Sequence, residues 1–264
     1  MARDVGGGLH LVGYEMAPSV AAGGTVEVGL RWRAVGPVSA QSVDMTLRDA
    51  ARQVGAMTPG PVLAQPVADW KAGEVFKTTR RVAVTADAAT GPATVEVTVH
   101  DGQGRALMSL PLVLGPLWVQ GQALAQPPQP PQQPVNFRVG DTARLIGYDA
   151  RQTAPDSPLE LTLYWQADAP APTDYSVFVH LLRPDGSILT QVDRAPGLGQ
   201  YPTSRWRAGE VVVDPYTLTL PNGTPPGPYQ VAVGWYTQAG RARVRDTQGQ
   251  PVAEDRVLLP VTLK

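Results

Sequence analysis

Hydrophobic positions along this chain recur with period two. Leu159, Leu161, Leu163 and Trp165 alternate with Glu160, Thr162, Tyr164 and Gln166. Tyr229, Val231, Val233 and Trp235 alternate with Gln230, Ala232, Gly234 and Tyr236, and Val95, Val97 and Val99 with Glu96, Thr98 and His100. Successive side chains of a strand point to opposite faces, so the pattern predicts half-buried strands with one wet face each. Turn residues punctuate the runs. Pro184-Asp185-Gly186 and Asp101-Gly102-Gln103-Gly104 suit hairpin turns in which a glycine takes positive φ. Asn222-Gly223-Thr224 fits a glycosylation sequon, but Pro221 and Pro225 bracket it, which favours a turn. No amphipathic helix stands out, and the 27 prolines argue against one. Short strands at intervals of about ten residues predict an antiparallel β-sandwich of about seven or eight strands, immunoglobulin or fibronectin III-like.

The pattern occurs twice. Leu11-Val12-Gly13-Tyr14-Glu15 returns as Leu145-Ile146-Gly147-Tyr148-Asp149, Trp32 and Ala34 as Trp165 and Ala167, and Trp70-Lys71-Ala72-Gly73-Glu74-Val75 as Trp206-Arg207-Ala208-Gly209-Glu210-Val211. Gly91-Pro92 and Gly104-Arg105-Ala106 return as Gly227-Pro228 and Gly240-Arg241-Ala242. The offset drifts only from 133 residues (Trp32 to Trp165) to 136 (Trp70 to Trp206). Solenoid periods run from about 20 to about 50 residues, so a period this long means tandem domains. The expected division is a first sandwich over 1–120, a Pro/Gln-rich linker over 121–136 and a second sandwich over 137–264. The run Pro127 to Pro134 predicts a semi-rigid polyproline II spacer of about 25 Å. Such runs also bind aromatic grooves, but its position between two copies favours a linker.

Composition narrows the function classes. The net charge of −1 provides no basic field for nucleic acid or an anionic membrane. The chain has no cysteine, which excludes disulfides, thiolate metal sites and cysteine nucleophiles. Lysine occurs only at Lys71, Lys77 and Lys264, and asparagine only at Asn136 and Asn222. Two readings of this bias stay open: a thermophilic source, or a base composition that favours arginine codons. No stretch is long and apolar enough for a transmembrane helix, and Met1-Ala2-Arg3-Asp4 lacks the apolar run of a signal peptide. The first repeat begins at Leu9, so the expectation is a domain pair from a longer parent polypeptide, with a membrane-anchored parent as one reading.

The repeated Trp-x-Ala-Gly-Glu-Val is the strongest local signal. One reading has Trp70 and Trp206 plug an end of each sandwich; the other has them stack on a sugar. Retention in both copies favours the plug. The run Tyr175-Ser176-Val177-Phe178-Val179-His180-Leu181-Leu182-Arg183-Pro184-Asp185-Gly186, with Tyr201-Pro202-Thr203-Ser204-Arg205-Trp206 and Pro226-Gly227-Pro228-Tyr229, resembles β-sandwich modules that follow the membrane part of bacterial protein-mannosyltransferase-like glycosyltransferases. The resemblance covers most of residues 137–264; the first copy lacks the Tyr-Pro-Thr-Ser run and the Pro-Asp-Gly turn. It implies a non-catalytic, extracytoplasmic accessory module, at the cell surface or in the periplasm. The transferase chemistry of that family resides in membrane loops, so no catalytic residue carries over.

The copies differ on one face. With Leu163, Trp165, Val177, Val179, Val231, Val233 and Trp235 inward, the other face of the second copy carries Tyr164, Phe178, His180, Leu182 and Tyr236. The aligned positions in the first copy are Arg31, Asp44, Thr46, Arg48 and His100. A contiguous apolar outer face marks an interaction surface. Its cover is open between the first domain or linker folding back, a partner protein and a sugar chain. The candidate ligand-binding residues are therefore Tyr164, Phe178, His180 and Tyr236, with Tyr201 and Arg205 from the loop that only the second copy has and Trp206 directly after it. An alternative is a structural spacer whose aromatics glue the domains together. A hydrolase is the remote reading. Asp149, Asp156, Glu160, Asp174, Asp185, Asp193 and Asp214 could supply paired carboxylates, but most fall at strand ends and turns. His10, His100 and His180 are scattered, with no metal spacing, and no loop has the alternating aspartates of a calcium site. Neither a cofactor nor a metal is expected.

Overall fold

The structure, a computed structural model, describes residues 2–49, 53–57, 60–62, 70–155 and 157–264. It is nearly all β and divides into two compact units, Met1–Gln122 and Ala123–Lys264. The first unit contains β1 (Arg3–Asp4), β2 (Leu9–Met16), β3 (Ser19–Ala21), β4 (Thr25–Ala34), β5 (Ser42–Asp49), β6 (Gln53–Ala56), β7 (Gly60–Pro61), β8 (Val75–Val84), β9 (Gly91–His100) and β10 (Leu112–Gln120). They form one continuous sheet in the order β1-β2-β4-β8-β6-β5-β9-β10-β3, with β7 beside β5. The alternate residues Val26, Val28, Leu30 and Trp32 of β4 meet Val43, Met45 and Leu47 of β5 and Val95, Val97 and Val99 of β9 in one buried cluster.

The second unit contains β11 (Gln133–Val139), β12 (Ala143–Arg151), β13 (Leu159–Ala167), β14 (Ser176–Leu182), β15 (Ile188–Arg194), β16 (Val211–Leu218), β17 (Gly227–Thr237), β18 (Gly240–Arg241), β19 (Val244–Arg245) and β20 (Val257–Leu263). Here there are two sheets, β16-β13-β12-β11-β19 and β15-β14-β17-β18, with β20 beside β17. Trp165 of one sheet meets Trp235 of the other with ring centroids 5.2 Å apart, and the Tyr148 hydroxyl donates to the Pro260 carbonyl at 2.6 Å. Among the described residues each unit has more strands than period-two runs predict. The surplus includes two-residue pieces such as β1, β7, β18 and β19, too short to show a period.

The repeat is a repeat of register. Leu11 lies opposite Trp32 and Leu145 opposite Trp165, and in both pairs the ladder slips one residue later, before Gly13 and before Gly147. The Trp-x-Ala-Gly-Glu-Val motif has the same construction in both units. The Glu74 N–H closes a turn onto the Lys71 carbonyl at 3.1 Å, and the Glu210 N–H onto Arg207 at 2.9 Å. The glutamate side chain reaches back to the amide that opens the turn, Lys71 at 3.0 Å and Arg207 at 2.9 Å. The glycine N–H then donates to the carbonyl of the other repeated alanine, Gly73 to Ala34 and Gly209 to Ala167, each at 2.8 Å. Gly73 and Gly209 sit at φ of 93° and 80° with open space beside them, so the backbone conformation alone demands glycine. Trp70 stacks on Phe76 at 4.2 Å, and Trp206 meets Trp235 edge-on at 5.3 Å. The motif is thus a docking device for the chain entering β8 and β16.

The units differ at one seam. In the first, β6 pairs with β5 and also with β8, through Gly55 opposite Val84 and Ala56 opposite Ala83. In the second, β15 pairs with β14 alone among the described residues. Within the second unit, the segment leading into β11 makes defined contacts. Gln133 to Asn136 begin β11, the Leu124 carbonyl accepts the Val211 N–H at 2.6 Å, and Pro131 lies against Gly147.

Candidate functional site

The aromatic residues expected on one face of the second unit occupy two. Phe178, His180 and Leu182 of β14 lie opposite Gly234, Ala232 and Gln230 of β17, and Tyr236 follows on the same side. Tyr164 belongs to β13, in the other sheet, opposite Gly147 and Val213. Period two tells which side of its own sheet a residue takes; it does not tell which sheet the strand joins, so two outer faces read as one.

The β14–β17 face carries a small second cluster of Phe178, Leu182 and Ala232, with Tyr236 packed beside it. Gly234 makes room for it: a Cβ there would lie 2.5 Å from the Phe178 ring and 2.9 Å from the Asp255 carbonyl. The Arg241 guanidinium covers the Phe178 ring at 4.7 Å and is held by the Glu254 carbonyl at 2.9 Å. That support passes through two left-handed residues, Glu254 at φ 56° and Asp255 at φ 48°. Phe178 is consequently buried, whereas Tyr236 and His180 are half-buried. His180 Nε2 lies 2.9 Å from Asp193 Oδ1 on β15, and its ring is 5.1 Å from Phe178.

Tyr164 is buried, and its hydroxyl donates to Asp149 Oδ2 at 2.7 Å. Burial first, then the hydrogen bond and charge of Asp149, push its pKa up. The Gln132 N–H donates to the other oxygen of Asp149 at 2.6 Å. Leu124 is tied to β16 and Pro131 to β12, and β13 lies between those strands. The proline-rich stretch joining the two contacts therefore crosses the outer face on which Tyr164 stands.

The loop particular to the second unit is organised around Glu210. The Tyr201 hydroxyl lies 2.8 Å and 3.1 Å from the two Glu210 oxygens, and burial followed by that carboxylate raises the phenol's pKa. Trp206 is buried and donates its indole N–H to the Tyr201 carbonyl at 3.0 Å. Arg205 is exposed, at the end of a short 3-10 turn, Thr203–Arg205. Of the seven candidates, then, Tyr164, Phe178 and Trp206 are interior, and His180, Tyr236, Tyr201 and Arg205 reach solvent.

Among the described residues, the carboxylates weighed as catalytic pairs hold the fold. Glu160 accepts the Thr217 hydroxyl at 2.8 Å, Asp174 the Ser204 N–H at 3.1 Å and Asp185 the Ser187 N–H at 2.9 Å. Asp156 lies outside the described residues. Asp214 is fully buried and gathers four donors: the Tyr216 hydroxyl at 2.7 Å, the Gly197 N–H at 2.9 Å, Arg194 Nη1 at 3.3 Å and the Trp165 indole at 3.4 Å. Burial raises its pKa, while Arg194 and the other donors oppose that rise. Arg194 also bonds the Pro215 carbonyl and lies 4.1 Å above the Tyr216 ring. Asp214, one of the seven carboxylates that could pair for hydrolysis, lies instead within β16, and its partner Arg194 is not among the candidate residues. The available signal was the alignment of Asp214 with Thr78, which puts a carboxylate where the first copy has a hydroxyl.

No known family model matches the chain, and no curated protein matches it.

Proposed function

We propose that the chain is a non-catalytic accessory module, two immunoglobulin or fibronectin III-like β-sandwiches joined through a proline-rich segment. In this reading it works outside the cytoplasm, at the cell surface or in the periplasm, as part of a membrane-anchored glycosyltransferase-like parent. The observation that carries the non-catalytic reading is the use of the second unit's acidic side chains. Asp149, Glu160, Asp174, Asp185, Asp193, Glu210 and Asp214 all hold a hydroxyl, an amide or an imidazole of their own unit. A general acid or nucleophile must instead face a cleft. Binding of a glycan or a protein belongs to the candidates that reach solvent, His180 and Tyr236 on one face and Tyr201 and Arg205 on the loop before Trp206.

A second reading, a structural spacer, is favoured by the burial of Tyr164, Phe178 and Trp206 within their own unit. A glycan array and a protein pull-down with the full chain separate the two. The binding reading expects a ligand that the Tyr236→Ala, His180→Ala variant releases while its thermal transition is retained. Silence on both assays supports the spacer. Turnover of any member of an oligosaccharide panel would overturn the non-catalytic reading.

A further inference from the structure

Three arginines stand side by side on the outer face of the β12–β11–β19 sheet. Arg138 lies directly opposite Arg144 on one side and directly opposite Arg245 on the other. Adjacent strands are about 4.8 Å apart, so the row spans about 10 Å. Like charges directly opposite one another in a sheet repel, and a fold has no use for three in a row. One carboxylate, Asp168, serves two of them. Its Oδ1 takes Arg144 at 2.9 Å and its Oδ2 lies 3.5 Å from Arg138. Arg245 has only the Gly249 carbonyl, at 3.0 Å, and no ion pair among the described residues. Beyond Arg245 a cleft is lined by Arg243, Arg245, Glu254 and Asp255. Its acids are already occupied: Glu254 pairs with Arg256 at 3.1 Å, and Asp255 takes the Val244 N–H at 3.0 Å. At the other end of the row Arg144 lies opposite Gln166, a half-buried amide that can both donate and accept.

The first unit shows that the fold does not require this. The positions aligned with Arg138, Arg144 and Gln166 are Asp4, His10 and Arg33, in the same register. There one carboxylate, one imidazole and one guanidinium share the row, and His10 Nε2 lies 4.0 Å from Asp4 Oδ1. Charge balance was thus available at these positions, and the second unit lacks it.

We propose that the Arg144–Arg138–Arg245 row binds an acidic polysaccharide, a chain with carboxylate or sulfate groups on successive sugars. Each guanidinium offers a planar fork that matches a carboxylate or sulfate, and the row repeats those forks at the strand spacing. Gln166 provides for a sugar hydroxyl at the end of the row. The net charge of −1 gives no long-range field for nucleic acid, so recognition is confined to this strip. The inference rests on the chain being a non-catalytic binding module, but it does not use the Tyr236 face.

The test is affinity electrophoresis of the full chain in gels containing polygalacturonate, dextran sulfate or uncharged dextran. Retardation is expected with one or both polyanions and not with dextran. It should weaken at least about ten-fold as salt rises from about 50 to about 500 mM. The Arg138→Gln, Arg245→Gln variant should lose it, and the Tyr236→Ala, His180→Ala variant should keep it. Arg138→Asp, which puts the first unit's carboxylate at the aligned position, should abolish retardation and leave the chain at least as thermally stable. No retardation by either polyanion, equal retardation of the arginine variants, or loss in the Tyr236→Ala, His180→Ala variant would each overturn the proposal.

Discussion

At equivalent positions the two units satisfy a buried tryptophan differently. In the first, the Trp32 indole N–H donates to the Thr78 hydroxyl at 2.9 Å. In the second, the Trp165 indole faces Asp214, at the position aligned with Thr78, 3.4 Å away. A hydroxyl settles the matter by itself. A carboxylate buried in the same place is tolerable only when further donors gather round it. Arg194, Tyr216 and the Gly197 amide do so, drawing the edge strand β15 and the loop after it onto β16. The first unit closes the equivalent seam with main-chain pairing of β6 to β8, and with Arg80, which bonds the Pro61 carbonyl from the opposite side. One repeat closes itself with backbone, the other with an ion pair and its hydrogen bonds.

The largest effect that could break this comparison is the loss of Asp214. Asp214→Ala strands Arg194 and should cost about 3–5 kcal/mol, whereas Thr78→Ala should cost about 1 kcal/mol. Urea unfolding followed by tryptophan fluorescence measures both, and equal losses would mean that the carboxylate is not a hub. Next come the paired glycines. Gly73→Ala and Gly209→Ala force a side chain into the left-handed region and should each cost about 1–2 kcal/mol. Because the motif has one construction in both units, the two losses should match; a large inequality would show that it serves something else in one of them.

The aligned arginines should separate the units again, by less. Arg241→Ala uncovers Phe178 and should lose about 1 kcal/mol. Arg105, exposed and paired with Asp101 at 2.8 Å, should change nothing measurable when replaced by alanine. The smallest effect at neutral pH is a titration. Burial, reinforced by Asp149 and Glu210, raises the Tyr164 and Tyr201 phenols in the folded state. The folded chain therefore keeps protons that the unfolded chain releases near pH 10, and stability should fall as pH rises beyond about 10. Ultraviolet titration should show these two phenols ionising late, and Glu210→Gln should bring Tyr201 back down. An unchanged Tyr201 would remove Glu210 from the cause.

Much of this was legible in the residues. Alternation located β9, β13 and β17, and the glycine turns fell where expected: Gly186 and Gly223 take φ of 83° and 75°. The seven residues read as inward on the second unit's strands are all buried. The candidate site was harder to read. Phe178 looked like an exposed aromatic because its cover, Arg241 and the turn at Glu254–Asp255, comes from elsewhere in the chain. Tyr164 looked like its neighbour because alternation has no memory of which sheet a strand joins. The arginine row stayed hidden because Arg138, Arg144 and Arg245 meet only through strand register.

By itself the sequence determined the all-β class, the duplication, the turns, and the residues that specify each copy. These are local or periodic properties, written into the chain at spacings of a few residues. Only the tertiary structure decided what lies across from what: that Asp214 meets Arg194, that the proline-rich stretch crosses the face of Tyr164, and that three arginines form a line. Those contacts join residues distant along the chain, and strand order and register, which no local period encodes, select them.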